Sequence, residues 1–331
     1  MATPAQAWRS IAFLGPEGTF SEEALLSIPS LAKARPIAMS TIADALDAAQ
    51  RREVDAAFVP IENSIDGTVS ATLDHLVFDV ELFIQLEHVL DVHLDLLAPA
   101  GTDIGAIRRV VSIPVALAQC RRFLHERLHD ARLEHASSTA EAARLVGEAV
   151  PDGTAAIAPA LAGRLYGLAT IAQAVEDHAG NQTRFVLVAP GVLPAPTGHD
   201  RTSLVCFQQA DRPGNLHQIL GQFAARDLNL TKIESRPTKL GLGDYCFVIE
   251  LEGHLNDEVV GDCLKELHGK LASVKFLGSY PVFGERGAKE RQQVAAARAE
   301  ANAWLRTLRS RVRPDESTGN GGAAGIRGPL G

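Results

Sequence analysis

The residues of this 331-residue chain best suited to chemistry form one polar run, Asn181-Gln182-Thr183-Arg184-Phe185. An Arg side chain offers a rigid fork that binds a carboxylate through two hydrogen bonds, and a neighbouring hydroxyl can donate to a leaving oxygen. Strict strand alternation would place Thr183 and Arg184 on opposite faces, so both reach one cleft only if the backbone is irregular there. The run is also compatible with a strand that simply begins with ordinary polar residues.

Other familiar catalytic motifs are missing from the sequence. It contains no G-x-x-x-x-G-K-[ST] and no G-x-S-x-G, and Gly15-Pro16-Glu17-Gly18 lacks the G-x-G-x-x-G spacing. Asp91-x-His93-x-Asp95 puts three potential metal ligands on one strand face, but a solvated edge strand gives the same pattern. We therefore expect neither nucleotide hydrolysis nor triad acyl transfer, and we expect no metal and no cofactor.

Composition excludes several classes of protein. The formal net charge is -8, with 40 acidic against 32 basic side chains, so a nucleic acid is not the expected partner. No apolar run approaches the roughly 20 residues that span a bilayer, and the first ten residues do not form a signal peptide. The four cysteines are scattered, as buried thiols in a reducing compartment are. We expect a cytoplasmic protein without membrane contact.

The positions of strands and helices indicate how the chain is organised. Residues 1–190 alternate short apolar strands with helical patterns, which is typical of parallel α/β architecture with ligands at the carboxyl ends of strands. The segment order predicts two lobes, one at about 10–80 with a return strand at 183–190, the other at about 81–182. A cleft between them is the expected site. A helix is expected at 116–128, and Thr41 with Asp44 form a capping pair.

Polar residues at the strand-to-helix turns are further candidates for substrate binding, although each could equally cap a helix. Binding is favoured for Thr19, Asn63 and Ser64. The full set is Gly18, Thr19, Asn63, Ser64, Ser112, Ser138 and Thr139, with Asn181 before the return strand.

The C-terminal part has a different organisation. Residues 191–200 hold three prolines and two glycines and are predicted to be a linker. Residues 201–282 show the order β-α-β-β-α-β of a ferredoxin-like unit, with Asn256 as the cap of its second helix. Residues 283–312 are predicted to be a helical extension, and 313–331 a disordered tail.

Five segments, in order along the chain, carry a family resemblance. Ile11–Ser21, Val59–Thr68 and Asn181–Phe185 together resemble prephenate dehydratase. Pro213–Leu216 and Glu234–Pro237 resemble the phenylalanine-binding motifs of that family's regulatory ACT domain. The resemblance covers about residues 10–282 and implies a two-lobed, periplasmic-binding-protein-like catalytic region followed by an ACT domain.

The resemblance implies that the protein converts prephenate to phenylpyruvate with loss of carbon dioxide and water, without metal, flavin or pyridoxal. Thr183 is then expected to donate a hydrogen bond to the leaving hydroxyl. Clamping the carboxylate that departs would oppose catalysis, so Arg184 is expected to hold the pyruvyl carboxylate instead. Phe185 is expected either to form part of a water-poor wall or to pack in the core.

The ACT resemblance implies feedback control by L-phenylalanine and a homodimer or homotetramer. Glu234 would meet the ammonium group of the effector, and the N–H groups near Gly214 and Asn215 its carboxylate. Effector and substrate would be coupled through lobe closure. The implied effector residues are Gly214, Asn215, Leu216, His217, Glu234, Ser235, Arg236 and Pro237.

Two departures from the family pattern and two alternatives stay open. The chain reads Ser112-Ile113-Pro114 where the family often has Ser-His-Pro, so no histidine acid is available there, and His217 departs from the Gly-Ala-Leu-Val pattern. An arogenate dehydratase would use the same groups, and a two-lobed binding protein with a sensor domain would lack turnover. Since the first strand starts near residue 11, we expect no fused chorismate mutase domain.

Overall fold

A computed structural model of the chain describes residues 8–148, 153–208, 212–239, 241, 243–271, 273–284, 300–301 and 303–311. Three β-sheets organise these residues. Two of the sheets belong to α/β lobes, and the third belongs to a smaller antiparallel α+β unit. The predicted fold class is therefore confirmed. Among the described residues, no helix is long and apolar enough to cross a membrane.

The first lobe begins the chain. Its elements are β1 (Ser10–Leu14), α1 (Phe20–Ser27), β2 (Arg35–Met39), α2 (Ile42–Gln50), β3 (Ala56–Asn63), β4 (Gly67–Thr68), α3 (Ser70–Phe78) and β5 (Phe83–Asp91). β1, β2 and β3 are parallel neighbours, and the central β3 is largely buried, as expected for a sheet covered on both faces. The predicted cap of α2 is confirmed, because the Thr41 hydroxyl accepts from Asp44 N.

The second lobe follows. Its elements are β6 (Asp95–Ala98), a 3₁₀ helix (Ile104–Ala106), β7 (Arg109–Ser112), α4 (Pro114–Gln119), α5 (Arg121–Arg127), β8 (Arg132–His135), α6 (Thr139–Glu148), β9 (Thr154–Ala158), α7 (Ala160–Leu165) and β10 (Ala169–Ala172). Its sheet has the order β10-β6-β9-β7-β8. The helix expected at 116–128 is two helices, since the backbone at Cys120 leaves helical geometry.

The chain returns to the first lobe as β11 (Gln182–Ala189), which lies between β3 and β5 and antiparallel to both. Because β5 pairs with β11, the first lobe includes residues 83–91, and the boundary predicted near residue 81 is wrong. The two crossing segments run side by side. Val92 N donates to Asn181 O at 2.8 Å and Val175 N to Leu94 O at 2.7 Å, which forms a two-stranded hinge.

The C-terminal unit has the predicted β-α-β-β-α-β order. Its elements are β12 (Asp200–Phe207), α8 (Asn215–Ala224), β13 (Leu230–Pro237), β14 (Tyr245–Glu252), α9 (Glu258–Lys270) and β15 (Ser273–Pro281). The sheet order is β13-β14-β12-β15. The residue before α9 is Asp257, so Asn256 is not the cap that the sequence predicted.

This third sheet has two covered faces. One face, with Leu204, Cys206 and Ile249, packs on α8 and α9. The opposite face, with Val205, Val248 and Leu277, packs into the same cluster as core residues of the first lobe. At Gly278 the contact is so close that a Cβ would lie 2.8 Å from Ile84 O of β5. The sheet is therefore docked directly against the first lobe.

The structure describes only part of the predicted C-terminal extension. Backbone at 303–309 is helical, whereas 283–284 is not. Of the predicted extension, the structure also describes 300–301 and 310–311. The other residues of the extension and the whole predicted tail at 313–331 lie outside the described residues. The four cysteines are free and buried, as expected, and burial raises the pKa of the Cys120 thiol to about 12.

Candidate active site

Asn63, the last residue of β3, and Thr183, near the start of β11, are direct partners across the antiparallel ladder. Asn63 Nδ2 donates to Thr183 Oγ1 at 2.9 Å. Within the described part of the chain the Thr183 hydroxyl accepts this bond and donates none, so its proton is left for a ligand. The side chain is half-buried and lies where the return strand leaves the hinge.

The Asn63 amide is held in one orientation. Its Oδ1 accepts from Ile65 N at 2.9 Å and from Asp66 N at 3.0 Å, which fixes the turn after β3. Its Nδ2 also donates to Asn181 Oδ1 at 2.8 Å, and Asn181 is only 4% exposed. Because the oxygen is used by the turn, the amide nitrogen must face Thr183 and Asn181.

Ser64 joins the same corner through its backbone and side chain. Ser64 N donates to Gln182 O at 2.8 Å, and Gln182 N donates to Ser64 Oγ at 2.9 Å. The structure therefore brings the candidates Asn63, Ser64, Asn181 and Thr183 together. Ser64 contacts this group through its two hydrogen bonds with the Gln182 backbone.

Arg184 does not join this group. Its side chain is 10% exposed and leaves β11 on the other face of the sheet from Thr183. Nη2 lies 2.8 Å from Glu62 Oε2 and 3.0 Å from Glu250 Oε1, and Nη1 lies 3.2 Å from Glu87 Oε2. Three carboxylates already occupy the guanidinium. This placement disagrees with the expected contact with the substrate carboxylate, because regular alternation at Thr183 and Arg184 sends the two side chains to opposite faces.

The electrostatics of this cluster favour the charged forms. Burial alone would lower the pKa of the Arg184 guanidinium, but Glu250 and Glu87 raise it above its ordinary value. Burial would likewise raise the pKa of Glu62, yet Arg184 and Lys232 outweigh it and lower that pKa. The cluster is a set of paired charges rather than a proton donor or acceptor.

Phe185 lies in the core of the first lobe. It is 1% exposed, and its ring stacks on Phe58 with centroids 5.3 Å apart. The same cluster includes half-buried Phe20, which also packs against the core of the second lobe. Of the two expectations for Phe185, core packing agrees with this placement.

Gly18 and Thr19 stand at the contact between the lobes. Gly18 has φ +86, and a Cβ there would lie 3.2 Å from Ala162 Cα and 3.5 Å from Ala140 Cβ. The starts of α1, α6 and α7 therefore meet at this glycine. The Thr19 hydroxyl donates to Leu14 O at 3.0 Å, so it holds its own loop.

Two of the three remaining candidates of the second lobe, Ser112 and Ser138, have structural partners. The Ser112 hydroxyl is fully buried and donates to Ile157 O at 2.6 Å. Ser138 Oγ accepts from Glu141 N at 2.9 Å, as a helix cap does. Thr139 is the first residue of α6 and is 6% exposed. For Ser112 and Ser138 the structural alternative fits these contacts.

A cavity of about 330 Å³ borders the hinge, lined by Glu23, Leu90, Asp91, His93, Asp95, Ala160, Gln173 and Ala174. Three carboxylates line it, so it would repel a dianionic substrate. Asp91, His93 and Asp95 bond separately to Gln182, Glu176 and Ala174 N. Among the described residues no group of three or more His, Cys, Asp or Glu side chains is arranged to hold a metal ion.

The residues proposed for the effector are split between two places. Gly214 has φ +88 and precedes α8, which begins with Asn215, Leu216 and His217. Glu234, on β13, faces the first lobe, and its Oε2 accepts from the Thr68 hydroxyl at 2.6 Å.

Arg236, two residues further along β13, faces the first lobe as well. It pairs with Asp74 of α3. Ser235 and Pro237 are exposed on the opposite side of the strand. The expected ammonium contact of Glu234 therefore disagrees with its placement, because the carboxylate is already engaged between domains.

Sequence reasoning missed the charged residues between the first lobe and the third sheet. Glu87 and Glu250 are 6% and 4% exposed, and Arg201 bonds to Glu87 at 2.6 Å. Each acid lies inside a strand next to apolar residues, Glu87 in Phe83–Asp91 and Glu250 in Tyr245–Glu252. A charge inside a buried strand needs a partner, and that signal was available in the sequence.

The geometry can therefore present a neutral hydroxyl, with its proton unused, at the junction of two lobes. The prephenate dehydratase family model matches residues 11–191, and the ACT domain model matches residues 202–269. Prephenate dehydratase of Mycobacterium tuberculosis is 40% identical over 323 residues, which cover 92% of this chain and 98% of the relative. The chain belongs to the prephenate dehydratase family.

Solved structures of similar proteins agree with the fold. Prephenate dehydratase from Arthrobacter aurescens, in complex with L-Phe, is 39% identical with a TM-score of 0.77, and the match covers 91% of this chain and 99% of that one. The structure of GqqA, described as a novel type of quorum quenching acylase, is 30% identical with a TM-score of 0.74, covering 84% and 100%. Similarity of fold thus extends beyond proteins named prephenate dehydratases.

Proposed function

We propose that this protein converts prephenate to phenylpyruvate, carbon dioxide and water, with Thr183 as the hydrogen-bond donor to the departing hydroxyl. The C–C bond to the ring carboxylate breaks and releases carbon dioxide. Its electron pair completes the aromatic ring and expels hydroxide, which takes up a proton to leave as water. Because aromatisation drives the reaction, the protein has to position the substrate and assist the leaving group.

One observation carries the proposal: Asn63 Nδ2 donates to Thr183 Oγ1 at 2.9 Å. A hydroxyl that accepts from an amide must direct its own proton elsewhere, and the Asn63 oxygen is already used by the turn. A threonine hydroxyl is too weak an acid to give up its proton alone at pH 7, so it acts as donor or relay. A positioned donor of this kind contributes about 10²–10⁴-fold to the rate.

The substrate carboxylates need partners other than Arg184. We place the substrate in a gap that would open between the Gly18 loop and the start of α6 when the lobes separate, since Gly18 packs against Ala140 and Ala162 in this structure. Backbone N–H groups at the first turn of α6 are suited to an anion. Thr19, Asn63, Ser64, Thr139 and Asn181 border this gap in the proposal. If no cation binds the ring carboxylate, the ground state of the group that departs as carbon dioxide is not stabilised.

The ACT domain is proposed to bind L-phenylalanine, as the Arthrobacter aurescens relative does. A cavity of about 190 Å³ lies between α8 and α9, and its lining includes Arg212, Asn215 and Lys270. Two cations there suit an amino-acid carboxylate. Assembly into a homodimer or homotetramer and a cytoplasmic location stay predictions.

The decisive experiment incubates the purified protein with prephenate and, separately, with arogenate, and follows phenylpyruvate and phenylalanine formation with and without L-phenylalanine. We expect phenylpyruvate from prephenate at a rate that L-phenylalanine changes and EDTA does not. Faster turnover of arogenate would reassign the substrate. No turnover of either compound would overturn the proposed function.

A further inference from the structure

Arg184 stands next to Thr183 in the chain yet belongs to the interface with the ACT sheet. Its guanidinium reaches Glu250 of β14 at 3.0 Å while it also holds Glu62 and Glu87 of the first lobe. The Arg184–Glu250 pair is buried on both sides, with side chains 10% and 6% exposed. A buried ion pair of this kind is costly to break, so it links the two domains at the position beside the proposed proton donor.

A second bridge reaches the partner of Thr183. Lys232 Nζ, on β13 of the ACT domain, lies 3.4 Å from Glu62 Oε1 and donates to the Thr68 hydroxyl at 2.9 Å. Glu62 immediately precedes Asn63, whose amide donates to Thr183. The two residues that form the proposed proton donor are therefore each one residue away from a charge held by the ACT sheet.

The strand itself is irregular at this position. Arg184 pairs with Glu62, whereas Phe185 pairs with Pro60, so Ile61 is an extra residue on β3. A bulge interrupts the ladder and lets the backbone redirect a side chain at low cost. The bulge begins directly after Arg184, so Arg184 stands between the regular ladder that holds Thr183 and the interrupted ladder that follows.

Arg201 of β12 offers Glu250 another partner. Arg201 Nη1 donates to Glu87 at 2.6 Å, but its buried Nε has no hydrogen-bond partner among the described residues. Glu250 Oε2 lies 3.8 Å from that Nε. A buried unsatisfied donor is unfavourable, and a small movement of Glu250 would satisfy it. Glu250 therefore lies between two arginines: it is hydrogen-bonded to Arg184 and lies beyond hydrogen-bond distance of Arg201 Nε.

We propose that Arg184 is a positioning residue that ties Thr183 to the ACT sheet through Glu250, and that exchange of Glu250 from Arg184 to Arg201 transmits effector binding to the catalytic corner. The proposal rests on the proposed function for its kinetic consequences. It supplies the two-state element that allosteric coupling requires: one carboxylate with two alternative cations.

The main test replaces the shared carboxylate by an amide of the same shape, Glu250→Gln, with Glu252→Gln as the matched control. Glu252 is an exposed acid on the same strand. We expect Glu250→Gln to lower kcat by about 10- to 100-fold with KM within about threefold, because misplacement of a catalytic group affects the reaction step. The ratio of kcat/KM with and without L-phenylalanine should fall to within about twofold of unity, against typical couplings of about 5- to 150-fold. Glu252→Gln should match the wild type.

Arg184→Lys separates positioning from substrate binding. A lysine keeps the charge but cannot reach three carboxylates at once, so we expect kcat to fall and the L-phenylalanine response to weaken. If Arg184 instead held the substrate, the lysine variant would raise KM and leave kcat unchanged, and the proposal would be overturned. Arg201→Gln removes the alternative partner of Glu250, and a retained L-phenylalanine response in that variant overturns the exchange.

A measurement that does not depend on catalysis can test this proposal independently of the proposed function. Amide hydrogen exchange of the peptide over residues 182–185 should be faster in Glu250→Gln than in the wild type and unchanged in Glu252→Gln. If wild-type protein turns over no prephenate while this difference is present, the proposed function fails and the bridge stands. Equal exchange in Glu250→Gln and the wild type, with equal kcat and equal L-phenylalanine response, overturns the bridge.

Discussion

Thr183 and Arg184 are consecutive residues of one strand whose side chains serve different parts of the molecule. Thr183 Oγ1 accepts from Asn63 at 2.9 Å, whereas the Arg184 guanidinium lies 3.0 Å from Glu250 of the ACT sheet. Because strand side chains alternate, one backbone segment can belong both to the proposed catalytic corner and to the domain interface. The predictions below test this division.

Thr183→Val removes the hydroxyl and preserves the shape of the side chain. We expect kcat for prephenate to fall by about 10²–10⁴-fold, because the leaving hydroxide loses its donor. Thr183→Ser is the control and should retain most activity, since the serine hydroxyl can accept from the same amide. Steady-state kinetics measure both. Valine activity within threefold of the wild type would remove Thr183 from the mechanism.

Asn63→Asp tests the direction of the hydrogen bond. The aspartate still accepts from Ile65 N and Asp66 N, so the turn after β3 is preserved. However, a carboxylate cannot donate to Thr183, and the threonine would turn its proton toward Asp instead of the substrate. We expect Asn63→Asp to lose as much kcat as Thr183→Val.

Asn63→Ala is the comparison for that variant. It removes the amide donor without supplying a competing acceptor, so it should lose less kcat than Asn63→Asp. A larger loss of kcat in Asn63→Ala than in Asn63→Asp would contradict a hydrogen bond donated from Asn63 to Thr183. Circular dichroism checks that both variants fold.

Gly18→Ala places a Cβ at the contact between the lobes. Gly18 has φ +86, and the new atom would lie 3.2 Å from Ala162 Cα. Gly101→Ala is a matched control, because Gly101 has φ +84 with nothing within 4 Å. Both variants should lose about 1–2 kcal/mol from left-handed backbone strain, measured by urea unfolding. Only Gly18→Ala should also raise KM for prephenate, and equal KM values in both variants would exclude a role at the gap.

Glu62→Gln tests how the free energy of unfolding depends on acidic pH. Arg184 and Lys232 overcome the burial of Glu62 and lower its pKa below the ordinary value of 4.5. A carboxyl group with a lowered folded pKa stabilises the protein above its unfolded pKa, and this contribution is lost as pH falls through the folded pKa. Wild-type protein should therefore exceed Glu62→Gln in stability at pH 7, and the difference should shrink below pH 4.5. A difference independent of pH, measured by urea unfolding, would contradict the ion-paired assignment.

Local patterns in the sequence were sufficient for the fold class and for the choice of most candidate residues that meet at the Asn63–Thr183 corner. Strand-helix alternation predicted two α/β lobes, and the β-α-β-β-α-β order predicted the third unit, because hydrophobic periodicity is a local property. Thr183 and Asn63 were chosen as candidates because Thr183 lies in a polar run before a strand and Asn63 in a polar turn after one. Helix ends were less accurate, as at Cys120 and Asn256, since loop geometry there depends on neighbouring elements.

The tertiary structure decided which way each charge faces. Alternation placed Thr183 and Arg184 on opposite faces, but only the packing of the ACT sheet showed what covers the second face. Glu250 is 66 residues from Arg184 in the chain, and no local pattern joins them. The same holds for β5, which joins the first lobe only because β11 returns to pair with it. Residue types and spacing are determined by the chain alone, whereas contacts between distant strands depend on how the sheets stack.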